Sequence, residues 1–229
     1  TVTAARCIRI KIGTNATSGV TGAEQISNGV AANAHSVAVG GTFGDSGTAA
    51  IDIIADDSVN ITATVDPTIS FAITDVAVGF GTLSSSQATW ANSGATGTTS
   101  QPATSAGAHE MTVATNAASG YTITYNGATL TNGLNTISVA TITGDADGTP
   151  ASEQFAIAID DNGGNVTIPS AYDYASNNYS FVAGTTTTLA SETIATATET
   201  IDVQYIANVA TTTEAGAYST DVTYIATGN

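Results

Sequence analysis

The chain has 229 residues, enough for one large β-sandwich or two small domains. Its hydrophobic fraction of 42% allows a core, but charged residues are only 10%, against roughly 25% in an average globular protein. Nineteen acids against three bases give a formal net charge of −16, which leaves no basic patch for nucleic acid and no polybasic footing on anionic lipid.

In chain order, residues 4–12 (AARCIRIKI) predict a strand with Ile8, Ile10 and Ile12 on one face and Cys7, Arg9 and Lys11 on the other. Residues 13–34 are rich in Gly, Asn and Ser, with a short candidate strand at 24–27. Strands are expected at 36–39 and 49–55, with Gly40-Gly41 and Gly44-Asp45-Ser46-Gly47 as turn signals between them. Asp56-Asp57 interrupts the pattern and marks the expected boundary between an N-terminal β region, 1–57, and a sandwich domain, 58–229. Strands resume at 59–65, 69–73 and 76–80, with Asp66-Pro67 separating the first two. Residues 82–108 predict a long polar excursion with Trp90 as its one large apolar anchor. Further strands are expected at 111–115, 121–125, 136–142, 153–159, 166–168, 179–182, 199–209 and 217–226. Ile201, Val203 and Tyr205 share one face, as do Tyr218, Val222 and Tyr224. Short strands at this spacing and no amphipathic helix predict an all-β fold, an antiparallel immunoglobulin-like or jelly-roll-like sandwich.

The residues offer little for catalysis. His35 and His109 are far apart in sequence, and no Ser sits in a Gly-x-Ser-x-Gly elbow. Asp56-Asp57 and Asp160-Asp161 are sequence neighbours, which suits turns better than two acids facing across a cleft. No Lys or Arg follows Lys11, so nothing clamps a phosphoryl group. The reading is therefore not an enzyme, with no cofactor expected except calcium as a candidate. Asp145 and Asp147, in Gly-Asp-Ala-Asp-Gly, are the candidate calcium ligands, though the run lacks the third acid and the closing Glu of an EF-hand loop. One Cys and two isolated His cannot build a usual zinc site. The lone Cys7 has no disulfide partner within the chain.

The N-terminal strand is the most unusual feature. Arg6, Arg9 and Lys11 are all the bases in the chain, and all 19 acids follow them. A strand with an Ile face and a cationic face suits addition to a sheet edge. Arg6, Ile8, Arg9, Ile10, Lys11 and Ile12 are thus the expected interface residues. Two arrangements use them: donation to a neighbouring copy, which propagates an open filament, or an ordinary edge strand of the same copy, protected by its charges.

Residues 60–71 (NITATVDPTISF), 78–83 (VGFGTL), 115–123 (TNAASGYTI) and 212–220 (TTEAGAYST) carry a resemblance. Together they resemble secreted β-sandwich proteins of uncultured small-genome bacteria, over roughly residues 58–229. The resemblance implies an extracellular, cell-surface location and a structural role, and it supplies no catalytic residues. The expected function is a self-assembling cell-surface filament or coat subunit, a homo-oligomer with no nucleic-acid partner and no membrane insertion. Two alternatives remain: a carbohydrate- or surface-binding adhesin module using Trp90 with Tyr172 and Tyr174, whose ligand would be a glycan or cell surface, and a calcium-stabilised spacer domain.

Overall fold

The structure, a computed structural model, describes residues 32–42, 46–53, 58–94, 96–103 and 107–229. The strands expected at 4–12 and 24–27 lie outside the described residues, and so do Arg6, Ile8, Arg9, Ile10, Lys11 and Ile12. The chain divides into two compact units, Thr1–Thr64 and Val65–Asn229, a division C-terminal to Asp56-Asp57. The described residues contain no helix long and apolar enough to cross a membrane.

In the first unit, β1 (Ala32–Gly40) pairs antiparallel with β2 (Ser46–Ile53), from His35 opposite Ile51 to Gly40 opposite Ser46. These two strands contain or overlap the ones expected at 36–39 and 49–55. Val37, Val39 and Ile51 on this ribbon are exposed.

The second unit is a sandwich. Its strands are β3 (Ile69–Ile73), β4 (Thr89–Trp90), β5 (His109–Thr115), β6 (Tyr121–Gly127), β7 (Thr131–Asn132), β8 (Asn135–Thr136), β9 (Thr141–Ile142), β10 (Gln154–Asp160), β11 (Tyr179–Ser180), β12 (Thr187–Glu192), β13 (Thr196–Asn208) and β14 (Val222–Gly228). The large sheet runs β3-β5-β13-β10-β11-β9, with β4 also on β13, and the small sheet runs β12-β6-β14. All strand pairings within these two sheets are antiparallel. β7 and β8 form a separate hairpin closed by Gly133, whose φ of +63° suits glycine at the Asn132-Gly133 turn.

The inner core follows from period-two alternation. In β5 the buried positions are His109, Met111, Val113 and Thr115; in β6 they are Tyr121, Ile123 and Tyr125. The turn over 116–120 carries the chain from the large sheet to the small one, so these two buried faces meet. Phe155, Ile157 and Ile159 of β10, Ile201, Val203 and Tyr205 of β13 and Leu189 of β12 complete the same cluster. Tyr125 ties it across the sandwich, its hydroxyl bonded to that of Tyr172 at 3.0 Å and accepting from the Val182 amide at 2.9 Å.

A second core lies on the outer face of the large sheet. Ala156, Ala158 and Ile206 alternate with the inner residues of β10 and β13, and Trp90, Tyr174 and Tyr179 cover them. Within the excursion expected at 82–108, β4 is therefore an added strand of the large sheet, hydrogen-bonded to β13 with Trp90 opposite Ile206, and Trp90 packs in the outer cluster. β10 and β13 are buried on both faces for this reason, which departs from the alternation expected of a half-exposed strand.

Several expected strands are corrected. Residues 59–65 pair with nothing among the described residues and are exposed throughout. At 76–80 only Gly79 bridges, to Asn92. The run expected at 136–142 breaks into β8 and β9, because Ile137 turns inward and its amide donates to Leu130. At 166–168 only Thr167 bridges, to Ser191. The last strand begins at Val222, since 211–220 is a loop.

Candidate binding groove

β3 ends the large sheet and β14 ends the small one, so each has an edge with no partner among the described residues. The two edges come together at one end of the sandwich: a Cβ placed at Gly228 would lie 3.9 Å from the Ile69 Cβ. At the other end they diverge. Ile73 and Val222 there flank a cavity of about 1010 Å³ between the 75–83 segment and the 209–220 loop.

The cavity reaches the core. Its floor is Phe155, His109, Tyr205 and Tyr224, and its walls include Val78, Phe80, Leu83, Leu130 and Val209. Val76 stands at the wall with 95% of its surface exposed. Asp75 and Glu214 are the charged residues of the lining. A groove of this kind takes an apolar occupant; its carboxylates disfavour an anion.

A polar relay crosses the floor. His109 Nε2 and the Tyr205 hydroxyl are 3.0 Å apart, and the Tyr205 and Tyr224 hydroxyls bond to each other. The His109 ring also lies edge-on to Tyr224, centroids 5.5 Å apart. Burial lowers the His109 pKa to about 4, against smaller raising effects from the Glu110 backbone and the Asp75 charge. Burial likewise raises both tyrosines. His109 Nδ1 is buried without a partner. The histidine is thus a neutral core group bonded to a phenol, and its alternation partner Glu110 faces the other side of the sheet.

Behind the sheet, Glu110, Asp202 and Asp160 are consecutive cross-strand neighbours on β5, β13 and β10. Asp202 is 1% exposed, with Oδ2 accepting from Asn162 and Oδ1 unpartnered. Burial raises its pKa; the Asn162 side chain and the Gly107 backbone oppose this, and the Glu110 and Asp160 charges add to it. Gln204, two residues on, is fully buried and its amide is also unpartnered.

The other sequence-derived candidates separate from this groove. Asp145 and Asp147 form an exposed turn, in which Asp145 Oδ1 accepts from the Asp147 amide at 3.1 Å and the Asp147 carbonyl accepts from Asn208 at 2.9 Å. No group of three or more His, Cys, Asp or Glu side chains fit for a metal ion occurs among the described residues. Asp160 and Asp161 hold the amides of Asn162 and Gly163 through their side chains, as turn carboxylates do. Trp90, Tyr172 and Tyr174, taken from the sequence as an aromatic binding surface, are corrected to core residues: they are 0%, 5% and 2% exposed. The groove itself escaped the sequence, because its floor comes from four separate strands; the only local sign was the alternation of Val222 and Tyr224.

Comparison of the chain with protein-family profiles, characterised proteins and solved structures returned no match.

Proposed function

We propose that this chain is an extracellular structural subunit that assembles with copies of itself by β-strand addition, forming a filament or coat. The observation that carries the reading is the wedge between the edges of β3 and β14, which have no partner among the described residues and open on the apolar core. A sandwich normally closes such a wedge with a strand. A strand arriving from another copy would supply ladder bonds to an edge and side chains to the cavity. The strand-rich composition, poor in charge and rich in Thr and Ala, agrees with this role. On sequence grounds, residues 4–12 are one candidate for that strand, through Ile8, Ile10 and Ile12 and the cations Arg6, Arg9 and Lys11.

Electron microscopy with sedimentation velocity at several salt concentrations tests the reading. Particles larger than one chain are expected, growing with protein concentration. A single monomeric species at every concentration and salt would sink it. The sign of the salt effect names the contact. Assembly lost at high salt implicates the basic cluster, whereas assembly strengthened by salt implicates apolar contact between copies that each carry −16.

A further inference from the structure

Residues 59–65, VNITATV, straddle the division between the two units and have the chemistry of a β-strand, with no sheet partner among the described residues. Val59, Ile61 and Val65 are 85%, 87% and 83% exposed. With Ala63 they form one face of an extended run, and Asn60, Thr62 and Thr64 form the other. Linkers are ordinarily Gly-, Pro- or polar-rich. Here five of seven residues are β-branched, which stiffens the chain and suits a pleat.

The segment is anchored at its C-terminal end. The Asn116 side chain accepts from the Thr68 amide and donates to the Asp66 carbonyl, and Thr115 Oγ1 donates to the Thr68 carbonyl at 2.7 Å. The chain therefore leaves the sandwich at the Ile69 end of β3, where the two edges are closed. The cavity opens at the Ile73 end. The point where the segment joins the sandwich, at Asp66 and Thr68, is thus at the end of β3 opposite the open wedge.

We propose that residues 59–65 of one copy are the strand that enters the wedge of the next, with Val59, Ile61, Ala63 and Val65 turned into the cavity. The inference rests on the self-assembly reading above and names its partner segment. The contact is heterologous, and repeated without ring closure it propagates an open filament. Charge allows it: between Asp57 and Asp66 lie eight residues with no charge, so nothing in the strand repels Asp75 or Glu214. Size allows it too. Seven extended residues reach about 23 Å and expose about 1,000 Å². Covering most of that together with a matching area of groove reaches the roughly 1,200–2,000 Å² of stable interfaces.

The full-length chain with Ile61→Glu tests this. Ile61 is almost wholly exposed, so the substitution leaves the melting temperature of the single chain unchanged while placing a charge on the proposed buried face. Self-association measured by sedimentation should weaken at least 100-fold. Mixed with wild type, the variant should shorten filaments, because its wedge still accepts a strand while its own strand is blocked. Ile10→Glu, in the alternative donor, should leave association unchanged. Wild type and Ile61→Glu associating equally would overturn this assignment and leave self-assembly standing. Loss of association in Ile10→Glu alone would move the donor to residues 4–12. A wild-type chain that stays monomeric throughout would end both readings.

Discussion

Trp90 Nε1 donates to the Tyr179 hydroxyl at 3.2 Å, across 89 residues of chain. The bond fastens the folded-back connection to the outer face of the large sheet. Gln101 donates to the same hydroxyl at 3.1 Å, and the Tyr174 hydroxyl donates to the Pro102 carbonyl at 2.7 Å.

Trp90→Ala should destabilise the sandwich by about 3–5 kcal/mol, the usual cost of emptying a buried aromatic site. Trp90→Phe keeps most of the packing and loses the bond to Tyr179, for about 1 kcal/mol. Chemical denaturation checks both. Trp90 is the only tryptophan, so wild-type emission should be that of a buried indole and should shift red on unfolding.

Asp202→Asn should stabilise the protein at pH 7, because it removes a buried negative charge that stands between Glu110 and Asp160. The folded state raises the Asp202 pKa, so above that raised value it holds a charge that the unfolded chain carries at less cost. The penalty fades as pH falls through the raised pKa, and the gain from the substitution should fade with it. Equal melting temperatures of wild type and variant at pH 7 would contradict this.

His109 acts with the opposite sign. Its folded pKa is about 4, below the ordinary 6.5, so in that window the unfolded chain binds a proton that the folded chain refuses. Stability should therefore fall as pH drops from about 6.5 to 4, by on the order of 3 kcal/mol from this group. His109→Gln should flatten that part of the curve. The comparison is the difference between the wild-type and variant unfolding free energies at pH 7 and at pH 4.5.

Gly120→Ala should cost more than about 1 kcal/mol. Gly120 has φ of +73°, and a Cβ there would overlap the Glu192 carbonyl, so both conformation and space demand glycine. The turn it closes hands the chain from one sheet to the other. Far-UV and near-UV circular dichroism of the variant on heating reads the loss.

The strands with a continuous apolar face were legible in the sequence: β5, β6, β10 and β13 lie close to where the apolar period places them. Two kinds of feature were not legible. Trp90, Tyr172 and Tyr174 read as a surface in a polar stretch, and only the sheet folding beneath them makes them core. Residues 59–65 have the period of a strand, but the period specifies a face and not a partner, and among the described residues they have none. β12 was missed because Thr187–Glu192 mixes small and polar residues and pairs through an irregular register near Ala190. The cavity was invisible for the same reason as the partner: it is defined by where two sheets stop.

Lys11 is the last cation in the chain, and nothing in the described sandwich can substitute for one. A protease that must seat a lysine or arginine side chain beside the bond it cuts therefore has no substrate beyond that residue, whether the sandwich is folded or not. Amine-directed reagents likewise find no lysine there. Resistance of that kind is written into composition and would persist through any loss of tertiary structure.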